Sequence, residues 1–71
     1  MREIATLTFR DADSSEEAIA VIRAGQNRIA LCLSLSSNGD VEVILTQTAA
    51  RDFIAAMNQA CDLAGPTVSS R

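Results

Sequence analysis

Residues 28 to 45 read Arg-Ile-Ala-Leu-Cys-Leu-Ser-Leu-Ser-Ser-Asn-Gly-Asp-Val-Glu-Val-Ile-Leu, and the reading of this stretch decides the fold. Ile29, Leu31, Leu33 and Leu35 alternate with Ala30, Cys32, Ser34 and Ser36. A period of two places the large residues on one face of a strand and the small ones on the other. Past Asn38-Gly39, the residues Val41, Val43 and Leu45 alternate with Glu42 and Ile44. The stretch is therefore a β-hairpin, and its loop length sets whether the two apolar rows share a face. A two-residue Asn38-Gly39 loop puts Leu35 opposite Glu42. A three-residue loop of Ser37, Asn38 and Gly39 pairs Ser36 with Asp40 and Leu35 with Val41, which joins the rows. It also gives Gly39 the left-handed position of a turn followed by a bulge. A slip of one residue would carry a whole apolar row to the opposite face, so burial selects the three-residue form.

The chain on either side is short. With 71 residues it makes one domain, spanning 1–65, with 66–71 expected as a flexible C-terminal tail. A core of that size supplies only a few kcal/mol, so self-association is expected. Hydrophobic residues make up 48% of the chain, which suits a globular protein. The only two aromatic residues are Phe, so the core is aliphatic and no ring platform exists for stacking bases.

Net charge is −3, and all six basic residues are Arg. That balance argues against a non-specific polyanion binder. The alternation from Met1 to Phe9 does not read as a secretory leader, and no apolar run is long enough to span a membrane. Cys32 and Cys61 stand outside any Cys-x-x-Cys pair, and the chain has no His, which excludes the usual zinc sites. A cytoplasmic protein with reduced thiols follows, with no metal or cofactor expected.

In chain order, Met1–Phe9 predicts a strand with Ala5, Leu7 and Phe9 on one face and Ile4, Thr6 and Thr8 on the other. Arg10–Glu17 holds four acids, Asp11, Asp13, Glu16 and Glu17. Its Asp-x-Asp-x-Ser start looks like a calcium loop. However, Glu16 stands where that loop needs Gly, and Ile22 where it needs Glu, so a solvated connection is the better reading. An acidic knob facing a basic partner is a third possibility. Glu17–Ala24 suits a short helix by its Ala and Glu, or a strand by its Ile and Val. The strand is preferred because Gly25-Gln26-Asn27 turns directly into the hairpin.

Thr46 is placed to cap a helix from Gln47 to Leu63 or Ala64. Ala50, Phe53, Ile54, Met57, Ala60, Cys61 and Ala64 form its apolar stripe, and Gly65-Pro66 ends it. The expected architecture is α+β: a four-stranded antiparallel β-meander followed by one C-terminal α-helix packed on one sheet face (ββββα). Phe53, Ile54 and Met57 are expected to cover Leu31, Leu33 and Val43. The other face would then carry Ala30, Cys32, Ser34, Ser36, Ile44 and Glu42, joined by Ile4 and Ile22. It is flat and half apolar, whereas a solvated sheet face usually carries more charge. Ala30, Cys32, Ser34, Ser36 and Ile44 are therefore the candidate protein interface, most simply for a second copy; the bland alternative is an ordinary exposed face.

The residues for catalysis are missing. Without His, Lys or Tyr, general-base work falls to a carboxylate, and Glu42 lies in no obvious cleft. The three glycines serve turns and a cap, which leaves no phosphate loop. Four strands followed by a helix, with Val43-Ile44-Leu45-Thr46 leading into the helix, resembles the positive cofactor four family of dimeric single-strand-binding coactivators. That resemblance implies a dimeric nucleic-acid-binding regulator using Arg23 and Arg28, although the basic and aromatic residues of that family's binding face are absent. The preferred expectation is a non-enzymatic protein-interaction module: a homodimeric regulator or inhibitor of a larger protein complex, using the open sheet face and its acidic surface. It is similar in this respect to small acidic proteins carried by phages and mobile elements.

Overall fold

The computed structural model describes residues 1–65. Four strands, β1 (Arg2–Arg10), β2 (Glu17–Gly25), β3 (Arg28–Leu35) and β4 (Gly39–Thr46), precede one helix, α1 (Gln47–Ala64). The sheet order is β1-β2-β3-β4, with every neighbouring pair antiparallel. This is the expected ββββα meander. Glu17–Gly25 forms a strand: as an inner strand it pairs along its length with both neighbours, which outweighs the helix preference of its alanines. The tail from Pro66 onward lies outside the described residues.

The β3–β4 hairpin keeps a three-residue loop but moves it. Ser36, Ser37 and Asn38 form the loop, and Leu35 pairs with Gly39, Leu33 with Val41, Leu31 with Val43 and Ile29 with Leu45. The expected pairing of Leu35 with Val41 is thus displaced by two residues. That displacement preserves the faces, because side chains alternate with period two. It has two physical causes. In the expected register Ile29 would fall opposite Gln47, which already belongs to the helix. In addition, Ser36 and Ser37 are drawn into the loop by hydrogen bonds to Glu16. The Asn38 N–H closes the turn onto the Leu35 carbonyl at 3.3 Å, and Gly39 takes the left-handed backbone with φ 77°.

Loop parity also decides the faces of β2. Gly25 pairs with Arg28, leaving the two-residue loop Gln26-Asn27, in which Asn27 adopts φ 58°. An even loop pairs odd positions with even ones. Ile22 therefore pairs with Leu31, Ala20 with Leu33 and Ala18 with Leu35. The expectation that Ile22 joins the small-residue face is corrected: Ile22 and its alanines lie on the leucine face, and Ile19 and Val21 take the other. On β1, Phe9 pairs with Ala18 and Leu7 with Ala20, which extends the leucine face to the sheet edge. A bulge between Glu3 and Ala5 leaves Ile4 exposed and outside the regular ladder.

Thr46 is both the last residue of β4 and the helix cap. Its Oγ1 accepts from the Ala49 N–H at 3.1 Å, and Gly65 ends the helix at φ 63° with its N–H donating to the Cys61 carbonyl. With no linker between strand and helix, α1 starts at the Ile29/Leu45 end of the sheet. It approaches β3 and β4 but not β1 or β2. The expected cover of Leu33 and Val43 is therefore absent, and each is 45% exposed. Among the described residues the core consists of Ala18, Ala20, Ala30 and Ala50, and no large side chain is fully buried. The radius of gyration is 14.2 Å, against about 11 Å for a compact domain of this length.

Candidate functional site

The sheet has one face dominated by apolar side chains and one of mixed character, and the register separates them. On the first face, β1 contributes Ala5, Leu7 and Phe9, while β2 contributes Ala18, Ala20, Ile22 and Ala24. On β3 and β4 the rows are Ile29–Leu35 and Val41–Leu45, each taken at alternate positions. From Ala5 onward this face carries no charged residue. It is also open: Val41 is 64% exposed, Leu7 52%, Phe9 48% and Leu33 45%. The facing stripe of α1 is equally bare, with Phe53, Ile54 and Met57 all about half exposed.

Two hollows divide this face. One, of about 290 Å³, lies between the start of α1 and the sheet, with Ile29, Leu31 and Leu45 on one side and Phe53, Ile54 and Met57 on the other. The second, of about 430 Å³, lies at the hairpin end and is lined by Phe9, Ala18, Leu33, Leu35 and Val41 among others. Neither holds an acid–base pair. The lining offers shape and apolar contact, with no reacting group.

The opposite face carries four of the five interface residues predicted from sequence. Ala30 is 1% exposed, because it sits between two strands under neighbouring side chains. Cys32 and Ser34 are half-buried, Ile44 is exposed, and Ser36 leaves the face altogether to enter the turn. Across this face Arg23 Nη1 donates to Glu42 Oε2 at 2.8 Å. The register brings Arg23 and Arg28 to the same face, but the Arg23 guanidinium is already engaged by Glu42. Arg28 Nη1 donates to the Asn27 carbonyl at 3.0 Å and remains exposed. Sequence reasoning missed this Arg23–Glu42 pair, which only the three-strand register brings together.

The acidic connection between β1 and β2 is held by its own hydrogen bonds. The Asp11 carboxylate accepts from the Ser14 N–H at 2.7 Å and the Asp13 N–H at 3.1 Å. The Ser14 bonds chiefly hold its carboxyl below the usual aspartate range. Ser15 adopts φ 65°, and its carbonyl accepts from Arg10 Nη1. Glu16 turns away to the β3–β4 loop. The calcium-like acids thus diverge, and no group of three potential ligands gathers among the described residues. No described helix is long and apolar enough to cross a membrane. Cys32 and Cys61 are both free thiols.

Comparison with protein-family models, with curated proteins and with solved structures gave no match. The likeness to the positive cofactor four family is one of element order, which carries no function by itself.

Proposed function

We propose that the protein is a non-enzymatic interaction module that works as a homodimer and regulates or inhibits a larger protein complex. The observation that carries this reading is the uncharged, half-exposed leucine face together with the bare stripe of α1. Eight half-exposed side chains, Leu7, Phe9, Leu33, Val41 and Val43 with Phe53, Ile54 and Met57, each leave on the order of 100 Å² open to solvent. The total, roughly 800 Å², equals one partner's share of a standard interface. A lone soluble chain rarely shows an apolar patch of that extent. The self-contact is therefore assigned to the leucine face rather than to the Ala30–Cys32–Ser34 row.

In such a dimer the mixed face stays outward. Exposed Ile44, the Arg23–Glu42 pair and the acidic β1–β2 connection are then available to a second protein. Free Cys32 and Cys61 suit a reducing compartment such as the cytoplasm. The nucleic-acid alternative would need Arg23 and Arg28, and Glu42 competes with phosphate for the first of them.

Light scattering on two variants tests the assignment. Val41→Asp places a charge on the leucine face and is expected to convert a dimer to a monomer. Ile44→Asp, on the other face of the same strand, is expected to leave the mass unchanged. A wild-type monomer at the highest soluble concentration would remove the proposal.

A further inference from the structure

The larger complex proposed above needs a place to dock, and the outer edge of β4 has the chemistry for one. We infer that β4 takes up an extended segment of that partner as a fifth strand, one whose residues alternate between apolar and basic. This inference rests on the proposal that the protein contacts a larger complex.

The sheet has two edges, and only one is blunted. β1 carries Arg2, Glu3 and Arg10 near its ends and a bulge between Glu3 and Ala5. Bulges and charged ends are common devices against edge pairing. β4 pairs residue by residue with β3 from Gly39 to Thr46, without a bulge, and holds no Lys, Arg or Pro. Among the described residues, the backbone of residues 40–44 has hydrogen-bonding partners only in β3. Alternate N–H and C=O groups of β4 therefore point away from the sheet. The helix does not cover them. The hollow beneath α1 is lined by Leu45 of β4, Ile29 of β3 and Ile22 of β2, so α1 leans inward across the sheet. A row of unpaired N–H and C=O groups is matched by another strand. A helix has already paired its own backbone and cannot match it.

The side chains of β4 select the kind of strand. Val41, Val43 and Leu45 lie on the leucine face, so residues added beside them are apolar. On the mixed face the same edge presents Asp40 and Glu42. Opposite charges across a strand pair stabilise it and like charges destabilise it. Glu42 is met by Arg23 from the inner side, whereas Asp40 has no ion pair among the described residues. Beside Asp40 a hollow of about 320 Å³ is lined also by Glu17 and Ser34, which gives a long basic side chain two carboxylates to reach. A second copy is the poorer occupant. It would bring the same two acids to the seam, on a chain whose net charge is −3.

Amide hydrogen exchange on the full chain tests the edge, with a capped peptide of alternating lysine and valine, as long as β4, as the probe. At a peptide concentration about ten times its Kd, the outward amides of β4 should exchange about tenfold more slowly, and those of β1 should not change. Methylating the valine amides or the lysine amides of the peptide should abolish protection in one case and keep it in the other, because only one set faces β4. A glutamate–valine peptide should bind several-fold more weakly. Protection at β1 in place of β4, or none up to the solubility of the peptide, would overturn the inference. So would equal binding by both methylated peptides, or by the glutamate–valine peptide. Slower β4 exchange on raising the protein concentration alone would give the edge to a second copy and overturn it too. A dimer by light scattering without peptide protection overturns the edge inference alone. Protection in a monomer supports it and removes the dimer.

Discussion

Glu16 and Ser37, 21 positions apart, are joined by their side chains: the Ser37 hydroxyl lies 2.8 Å from Glu16 Oε1 and 2.7 Å from Oε2. The Ser37 N–H also donates to Oε1 at 3.2 Å, and the Ser36 hydroxyl reaches it at 3.4 Å. The loop before β2 thereby fastens the loop after β3, continuing past its end the ladder in which Ala18 pairs with Leu35. Hydrogen bonds to a charged acceptor contribute about 1.5–3 kcal/mol where solvent is excluded, and less at a half-exposed site. Glu16→Ala is expected to cost about 1 kcal/mol of stability in a urea titration. In a double-mutant cycle with Ser37→Ala, the two losses should be clearly less than additive. Full additivity would show that the contact adds nothing to the fold.

Gly39 isolates a backbone effect. A β-carbon built there meets nothing within 4 Å, so the residue has room but an unfavourable φ of 77°. Gly39→Ala should destabilise by about 1–2 kcal/mol through backbone strain alone. Gly39→Asn, whose side chain tolerates the left-handed region, should lose visibly less. Equal losses for the two substitutions would place the cost elsewhere.

Arg23 and Glu42 form a close ion pair with side chains 40% and 45% exposed. Water screens a pair so open, and its removal by Arg23→Ala should cost less than about 1 kcal/mol. That cost should shrink as salt is raised from low to molar concentration. The same variant addresses nucleic acid. Binding to single-stranded DNA at moderate salt that is lost on combining Arg23→Ala with Arg28→Ala would favour the nucleic-acid reading over the protein-contact one.

Asp11 supplies a pH dependence with a definite sign. The N–H and hydroxyl groups of Ser14 chiefly favour its ionised form, so its folded pKa lies below the ordinary value of 3.8. A carboxyl with a depressed folded pKa stabilises the fold above its unfolded pKa, and that contribution is lost as pH falls through the folded value. Carbon-13 titration should find Asp11 still ionised at a pH where ordinary aspartates are half protonated. An Asp11 midpoint at or above the ordinary value would remove the proposed acid sensitivity of the β1–β2 connection.

The sequence disclosed the elements well because each was written in local terms. Alternation marked the strands, Thr46 and Gly65 marked the helix ends, and Asn38-Gly39 marked a turn. It disclosed the faces only in part. Ile22 was misassigned because its face depends on the parity of the Gln26-Asn27 loop, and a local apolar pattern does not reveal parity. The shifted hairpin register depended on Glu16, a residue 20 positions before the turn. The missing cover on Leu33 and Val43 follows from the direct join at Thr46, which sends the helix off from one end of the sheet. The candidate site was the least legible, since it was inferred as whatever the helix left uncovered.

The alanine interior has a thermodynamic consequence. Unfolding changes heat capacity mainly through the apolar surface newly exposed to water. Ala18, Ala20, Ala30 and Ala50 hide little such surface, and most large side chains of a single chain are partly or largely wet before it unfolds. Calorimetry therefore measures association without any view of the partner. An isolated chain should fall well short of the usual ~12–15 cal/mol/K per residue. A value in the ordinary range would mean that the missing interior is built between molecules.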